Sequence, residues 1–310
     1  MAAPTGSTGS TGSTGARSTG LRSNPLIALE VMRRFRSPMA AWAIPLLLIL
    51  PGVAVCLIYA ATTSWGTSFD PMGNPMAAGA FDVEELSGMG VGMFSAVAGL
   101  LLLTLILTVP TLVGPSIAGE RHNQTLQPLQ LTEMTPSSIV AGKLISSVAY
   151  LVVVLLCASP VMVIPFLLGG ITAMQVVGTF IVLVLIMIEF AAISLAASAT
   201  LSKPTGATFT ALVSCAVVTV APWIVMGVLY AVAYRSNPAL DAEDSAIRLI
   251  ASLSPVSLGS WVVDSSNDLT GIEAVETVDK VASVVSFLVI TSLSLLLARS
   301  KVTAPVERDR

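Results

Sequence analysis

Six stretches of this chain are apolar, nearly free of charge and long enough to cross a bilayer, and that pattern restricts the fold more than any other feature. They run Met39–Thr62, Met89–Val113, Ile139–Gly169, Ile171–Ala199, Ala207–Ala233 and Val281–Ala298. A hydrocarbon core of roughly 30 Å takes about 20 apolar residues of helix to cross. The runs are continuously apolar and do not alternate residue by residue, which points to helices and away from a β-barrel. Composition agrees, with 54% hydrophobic and 11% charged residues against about 25% charged in an average soluble domain. The expected fold class is an all-α integral membrane protein with six transmembrane helices.

Charge sets the expected orientation. With both termini cytoplasmic, 12 of the 15 basic residues fall on the inner side, leaving only Arg235, Arg248 and Lys280 outside. Basic residues near span ends are retained in the cytoplasm. The acidic residues run the other way, 12 of 18 falling in two outer loops around Asp70–Glu85 and Asp241–Asp279. The net charge of −3 hides this polarity. The expected location is the cell's inner (cytoplasmic) membrane, multi-pass, with both ends inside. A polar stretch precedes the first run and no small-residue cleavage site follows it, so the first span is expected to remain as an anchor.

Residues 1–23 form a Gly/Ser/Thr-rich tail with too little apolar content to offset the entropy of ordering it, and are expected to be disordered in the cytoplasm. Residues 24–299 form the transmembrane domain and 300–310 a second cytoplasmic tail. At 24–37, NPLIALEVMRRFRS starts with Asn24-Pro25. It places Ile27, Leu29, Val31, Met32 and Phe35 on an arc opposite Glu30, Arg33 and Arg34, as an interfacial amphipathic helix would. The outer loop at 235–280 holds two apolar halves separated by Ser254-Pro255. It fits either a surface helix and turn or a re-entrant hairpin. Cys56, Cys157 and Cys215 lie inside apolar runs and read as small buried hydrophobes.

Between the second and third spans lies the polar segment 119–136. Gly119–Gln127 is expected to form a short helix with Leu126 and Leu129 on one side and Glu120, Arg121, Asn123 and Gln124 available for polar contacts. Pro128 should end or kink it, and Thr135-Pro136 should start the next helix. His122, the sole histidine, lacks the companions a metal site needs.

Glu120-Arg121, Thr125-Leu126, Leu129, Leu131-Thr132, Thr135-Pro136, Ile139 and Gly142-Lys143 together resemble the coupling segment of type-2 ABC exporter permeases. The order of the remaining features agrees over about Asn24 to Ala298: an amphipathic helix, six spans and a Ser-Pro outer loop before the last. Two positions depart from the family pattern, Pro128 within the helix and Gln124 where glycine is common. The resemblance implies a permease whose coupling helix contacts a separate ATP-binding subunit through Glu120, Arg121, Thr125, Leu126 and Leu129. It also implies pairing of two permeases, identical or different, with two such subunits. The chain has no G-x-x-x-x-G-K-[ST] phosphate loop, so ATP and Mg are expected in the partner. No catalytic residue, metal, bound cofactor or nucleic-acid partner is expected of this chain, whose other partner is membrane lipid.

Pro110, Gly114, Pro115, Pro160, Pro165 and Pro222 mark sites of kinking, either hinges or static bends. Glu189 is the one carboxylate inside a span. Such a residue costs about 2.5–3.5 kcal/mol on insertion scales. It reads either as part of the substrate pathway or as a protonated or hydrogen-bonded group paired with Ser194 or Ser198. An ion-gradient-driven transporter would call for paired intramembrane charges and a repeat, a membrane enzyme for a catalytic cluster; neither pattern occurs. A membrane anchor for a soluble partner is the remaining alternative. The sequence does not name a substrate.

Overall fold

The structure, a computed structural model, describes residues 45, 48–57, 60, 83–124, 136–236, 249–259, 262 and 277–303. The helix expected over 24–37, the tail 1–23, residues 304–310 of the other expected tail and half of the first apolar run lie outside the described residues, whereas 300–303 continue the last helix. Eight helices are used here: α1 (Leu48–Leu57), α2 (Val83–Val113), α3 (Pro115–His122), α4 (Pro136–Cys157), α5 (Ser159–Leu168), α6 (Ala173–Thr200), α7 (Pro204–Ser236) and α8 (Thr277–Thr303). No strand occurs among the described residues.

Among the described residues five helical stretches are long and apolar enough to span a membrane: Gly90–His122, Ser137–Leu167, Ala173–Thr200, Pro204–Val232 and Val278–Val302. They correspond to the second through sixth expected runs. The first is represented among the described residues by α1, which is shorter than a span. Two of the five are interrupted where the sequence carries proline. Pro115 follows Gly114 and opens α3, and Pro160 stands at the start of α5 just after the break at Ala158. A proline lacks the N–H that would continue the ladder but fits the first turn of a new helix. Pro110, Pro165 and Pro222 instead lie inside helices.

Helix α6 is the centre of the bundle, packed against α2, α3, α4, α5, α7, α8 and the 3-10 turn Pro255–Gly259. Its second half explains why. Ala191, Ala192, Ser194, Ala197, Ser198 and Ala199 are buried together with Ile186, Met187, Phe190 and Leu195. Small residues let neighbouring backbones approach, and in lipid such van der Waals contact takes over the role that water exclusion plays in soluble cores. The start of α6 is fixed by a capping box: Thr172 Oγ1 accepts from Gln175 N–H, and Gln175 Oε1 accepts from Thr172 N–H. Before it, Gly169 (φ 93°) and Gly170 (φ 78°) turn the chain in the left-handed region, where side chains are disfavoured.

By contrast α7 and α8 turn wide faces outward. Phe209, Ile224, Val228 and Val232 on α7, and Val281, Leu288, Val289 and Leu296 on α8, are all exposed in the isolated chain. That is the expected state of a surface solvated by lipid. Most described hydroxyls on the spans bond back to a carbonyl three or four residues earlier, as in Thr104 to Leu100 O and Ser214 to Thr210 O. This satisfies them without a neighbour.

Candidate functional site

The short polar helix between the second and third spans sits earlier than the sequence suggested. Instead of Gly119–Gln127, α3 covers Pro115–His122, capped by Asn123. Gln124 adopts φ 57° and takes the chain out of the helix. The difference arises at Gly114-Pro115, which starts α3 almost in line with α2, Gly114 N–H still donating to Pro110 O at 2.8 Å. Glu120 and Arg121 therefore occupy the last turn of α3. Arg121 and His122 lie there near the helix's negative end, a favourable place for positive charge. Thr125, Leu126 and Leu129 lie outside the described residues.

Three contacts hold α3 to the bundle. The first amide donors of a helix have no intrahelical acceptor, and a side chain at the N-cap usually supplies one. Here the N-cap is Gly114, which has no side chain. Ser198, from the last turns of α6, takes its place: its Oγ accepts from Ile117 N–H at 2.9 Å and Ala118 N–H at 3.0 Å. On another side, Lys143 of α4 donates from Nζ to Ser116 O at 3.1 Å and to Glu120 Oε1 at 2.7 Å. Thirdly, Gly114 lies so close to α7 that a Cβ there would stand 2.8 Å from Thr208 Cα. The polar contacts expected of Glu120 thus include an ion pair within the chain. Neither the role of Lys143 as the ion-pair partner of Glu120 nor that of Ser198 as acceptor for α3 was apparent from the sequence. A lone cation one turn inside an apolar run was the available signal for the first; a single serine in an apolar helix gave none for the second.

Glu189 lies 16 residues after Ala173 and 11 before Thr200, about 24 Å and 16 Å along α6 at 1.5 Å per residue. Its exposure is 0%, and neither carboxyl oxygen has a hydrogen-bond partner among the described residues. The pairing with Ser194 or Ser198, one of the two alternatives the sequence left open, is not made. Ser194 Oγ donates to Phe190 O at 2.6 Å, one turn back on its own helix, and Ser198 serves α3. Cys215 of α7 faces the same stretch, its thiol 3.9 Å from Phe190 O.

Residues 249–259 of the loop expected over 235–280 pack into the bundle. Ser254 Oγ donates to Thr219 O at 2.9 Å, and Thr219 is 15 residues after Pro204 and 17 before Ser236, midway along α7. Pro255 and Leu258 are buried, and Ser286 of α8 donates to Ser252 O at 3.1 Å. Val262 packs on Gly178, near the start of α6. The 249–259 segment is therefore packed against α7 and α8, and Thr219 in turn donates to Cys215 O one turn away.

An apolar helical bundle with five helices long enough to cross a bilayer among its described residues defines a multi-pass membrane protein. The family described as ABC-2 family transporter protein matches residues 115–301, from the first residue of α3 to the last turn of α8 and over more than half of the chain. The chain belongs to this family, as an ABC transporter membrane subunit, a permease. No curated protein matches it.

Proposed function

We propose that this chain is the membrane permease of an ATP-driven exporter, and that the end of α3 with the segment after it is where a separate ATP-binding subunit docks. The observation that carries this reading is the way α3 is built. A polar, eight-residue helix is fastened to α4, α6 and α7 while its end, at His122 and Asn123, is exposed and Arg121 half-buried. A helix so held has no slack of its own, and displacing its end would load the spans.

On this reading two permeases, identical or different, pair with two ATP-binding subunits, which hold ATP and Mg; this chain binds neither. The charge asymmetry supports an orientation with α3, Lys203 and both termini in the cytoplasm of the inner membrane. Glu120, Arg121, Thr125, Leu126 and Leu129 form the docking segment, Glu120 also bracing α3 against Lys143. Glu189 would line the substrate path in a conformation where α6 and α7 part, since in the one described it is sealed. The prolines at 110, 160, 165 and 222 offer the bends such a motion requires.

The test is a pull-down with the ATP-binding subunit. Leu126→Asp would put a charge on the apolar side of the docking segment, and an unpaired buried charge costs several kcal/mol, about a thousandfold in affinity. Capture of the subunit by the native chain and its loss with a stably folded Leu126→Asp variant is the expected result. Undiminished capture would remove this segment from the interface.

A further inference from the structure

The side chains that hold α3 determine which part of the bundle would feel a force applied to it. We propose that Ser198 is a latch making α3 and α6 move as one body, so that a stroke delivered to α3 arrives directly at the central helix. This deepens the permease reading above and rests on it.

Ser198 is fully buried, and its hydroxyl oxygen is the acceptor for two consecutive amides of α3. Gly114 at the N-cap offers those amides no side-chain substitute. Buried backbone donors are almost always paired, so sliding α3 along α6 would strand both at once. The arm is also short. A serine oxygen stands one bond beyond Cβ, whereas Lys143 reaches its partners through a flexible four-carbon stem that tolerates relative motion. The helix on which the latch sits touches every other described span. Nine residues further along it, about 14 Å away, is Glu189. Ser198 is therefore a positioning residue, connecting the docking element to the sealed carboxylate through one rigid helix.

The experiment uses the full chain with its ATP-binding subunit in lipid nanodiscs, with Cys56, Cys157 and Cys215 replaced and spin labels at Asn123→Cys and Met174→Cys. Both labelled positions are exposed, one at the end of α3 and the other at the start of α6. The distance distribution between them is measured without nucleotide and after trapping with ATP and vanadate. With Ser198 present the distribution should be the same in both states. Ser198→Ala should give a shifted, broader distribution only in the trapped state, and Ser198→Thr, which keeps the oxygen, should restore the native behaviour. Loss of packing alone would broaden both states equally and would overturn the latch. So would a nucleotide-dependent change in the protein that retains Ser198, or a Ser198→Ala variant indistinguishable from it. ATP hydrolysis by the same samples separates the two levels of the argument. Without an ATP-hydrolysing complex the permease reading fails and the latch with it, whereas hydrolysis with the wrong distance pattern refutes the latch alone.

Discussion

Lys143→Met should destabilise the chain by removing the cation that pairs with Glu120, and the loss can be worked from the geometry. The pair is 2.7 Å long, with side chains 8% and 23% exposed for Lys143 and Glu120. At an effective dielectric near 20 the attraction is about 6 kcal/mol, most of it offset by desolvation of both groups. Removing one member of a fully buried pair costs about 3–5 kcal/mol. Glu120 keeps some access to water and can be partly rehydrated, so a loss of about 2–3 kcal/mol is expected. Glu120→Gln should cost a similar amount by leaving the more deeply buried ammonium without its counter-charge. Combining the two changes removes both charges, and the double variant should lose only about 1 kcal/mol. Reversible unfolding in mixed micelles titrated with dodecyl sulfate gives all four corners of the cycle. The reasoning requires a coupling of about 2 kcal/mol or more, whereas additivity within about 0.5 kcal/mol would mean that the pair holds nothing together.

Further expectations follow from the same geometry. Ser198→Ala leaves two buried amides without their acceptor, at about 1–3 kcal/mol each, and should lower the midpoint of thermal unfolding far more than Ser214→Ala, whose hydroxyl only bonds within its own helix. Gly114→Ala should cost about 1–3 kcal/mol through overpacking, because its Cβ would stand 2.5 Å from Pro110 O and 2.8 Å from Thr208 Cα. Gly99→Ala, with nothing within 4 Å, should be neutral or stabilising by up to about 1 kcal/mol; equal effects in thermal unfolding would contradict the close crossing. Glu189→Met should leave stability unchanged or raise it by about 1–3 kcal/mol, since a buried carboxyl without partners is a burden; a clear fall in the unfolding midpoint would reveal a partner.

The spans were legible because lipid imposes one demand on every residue of a run. Thus Ile171–Ala199 was expected and Ala173–Thr200 was found. The helix between spans two and three was displaced by several residues because polarity was weighed above the start signal at Gly114-Pro115, and proline at a helix's first turn looks the same in sequence as proline that ends one. Glu189 stands out in the sequence as the one carboxylate in a span, but the serines on its own helix are engaged elsewhere, Ser194 with Phe190 O and Ser198 with α3. Ser198 itself was illegible. A serine in an apolar helix declares a hydroxyl, but its acceptance of two amides about eighty residues earlier depends on how α3 lies across α6. The same holds for Ser254, whose bond to Thr219 O joins segments 35 residues apart.

The most direct test of the permease account is ATP hydrolysis by reconstituted components. The purified chain, its candidate ATP-binding subunit and their co-purified complex are placed in nanodiscs and assayed with Mg-ATP, with and without vanadate. The account predicts no hydrolysis by the chain alone, and vanadate-sensitive hydrolysis by the complex at a rate altered by the presence of the permease. Hydrolysis by the isolated chain, or an ATPase rate indifferent to its addition, would contradict it.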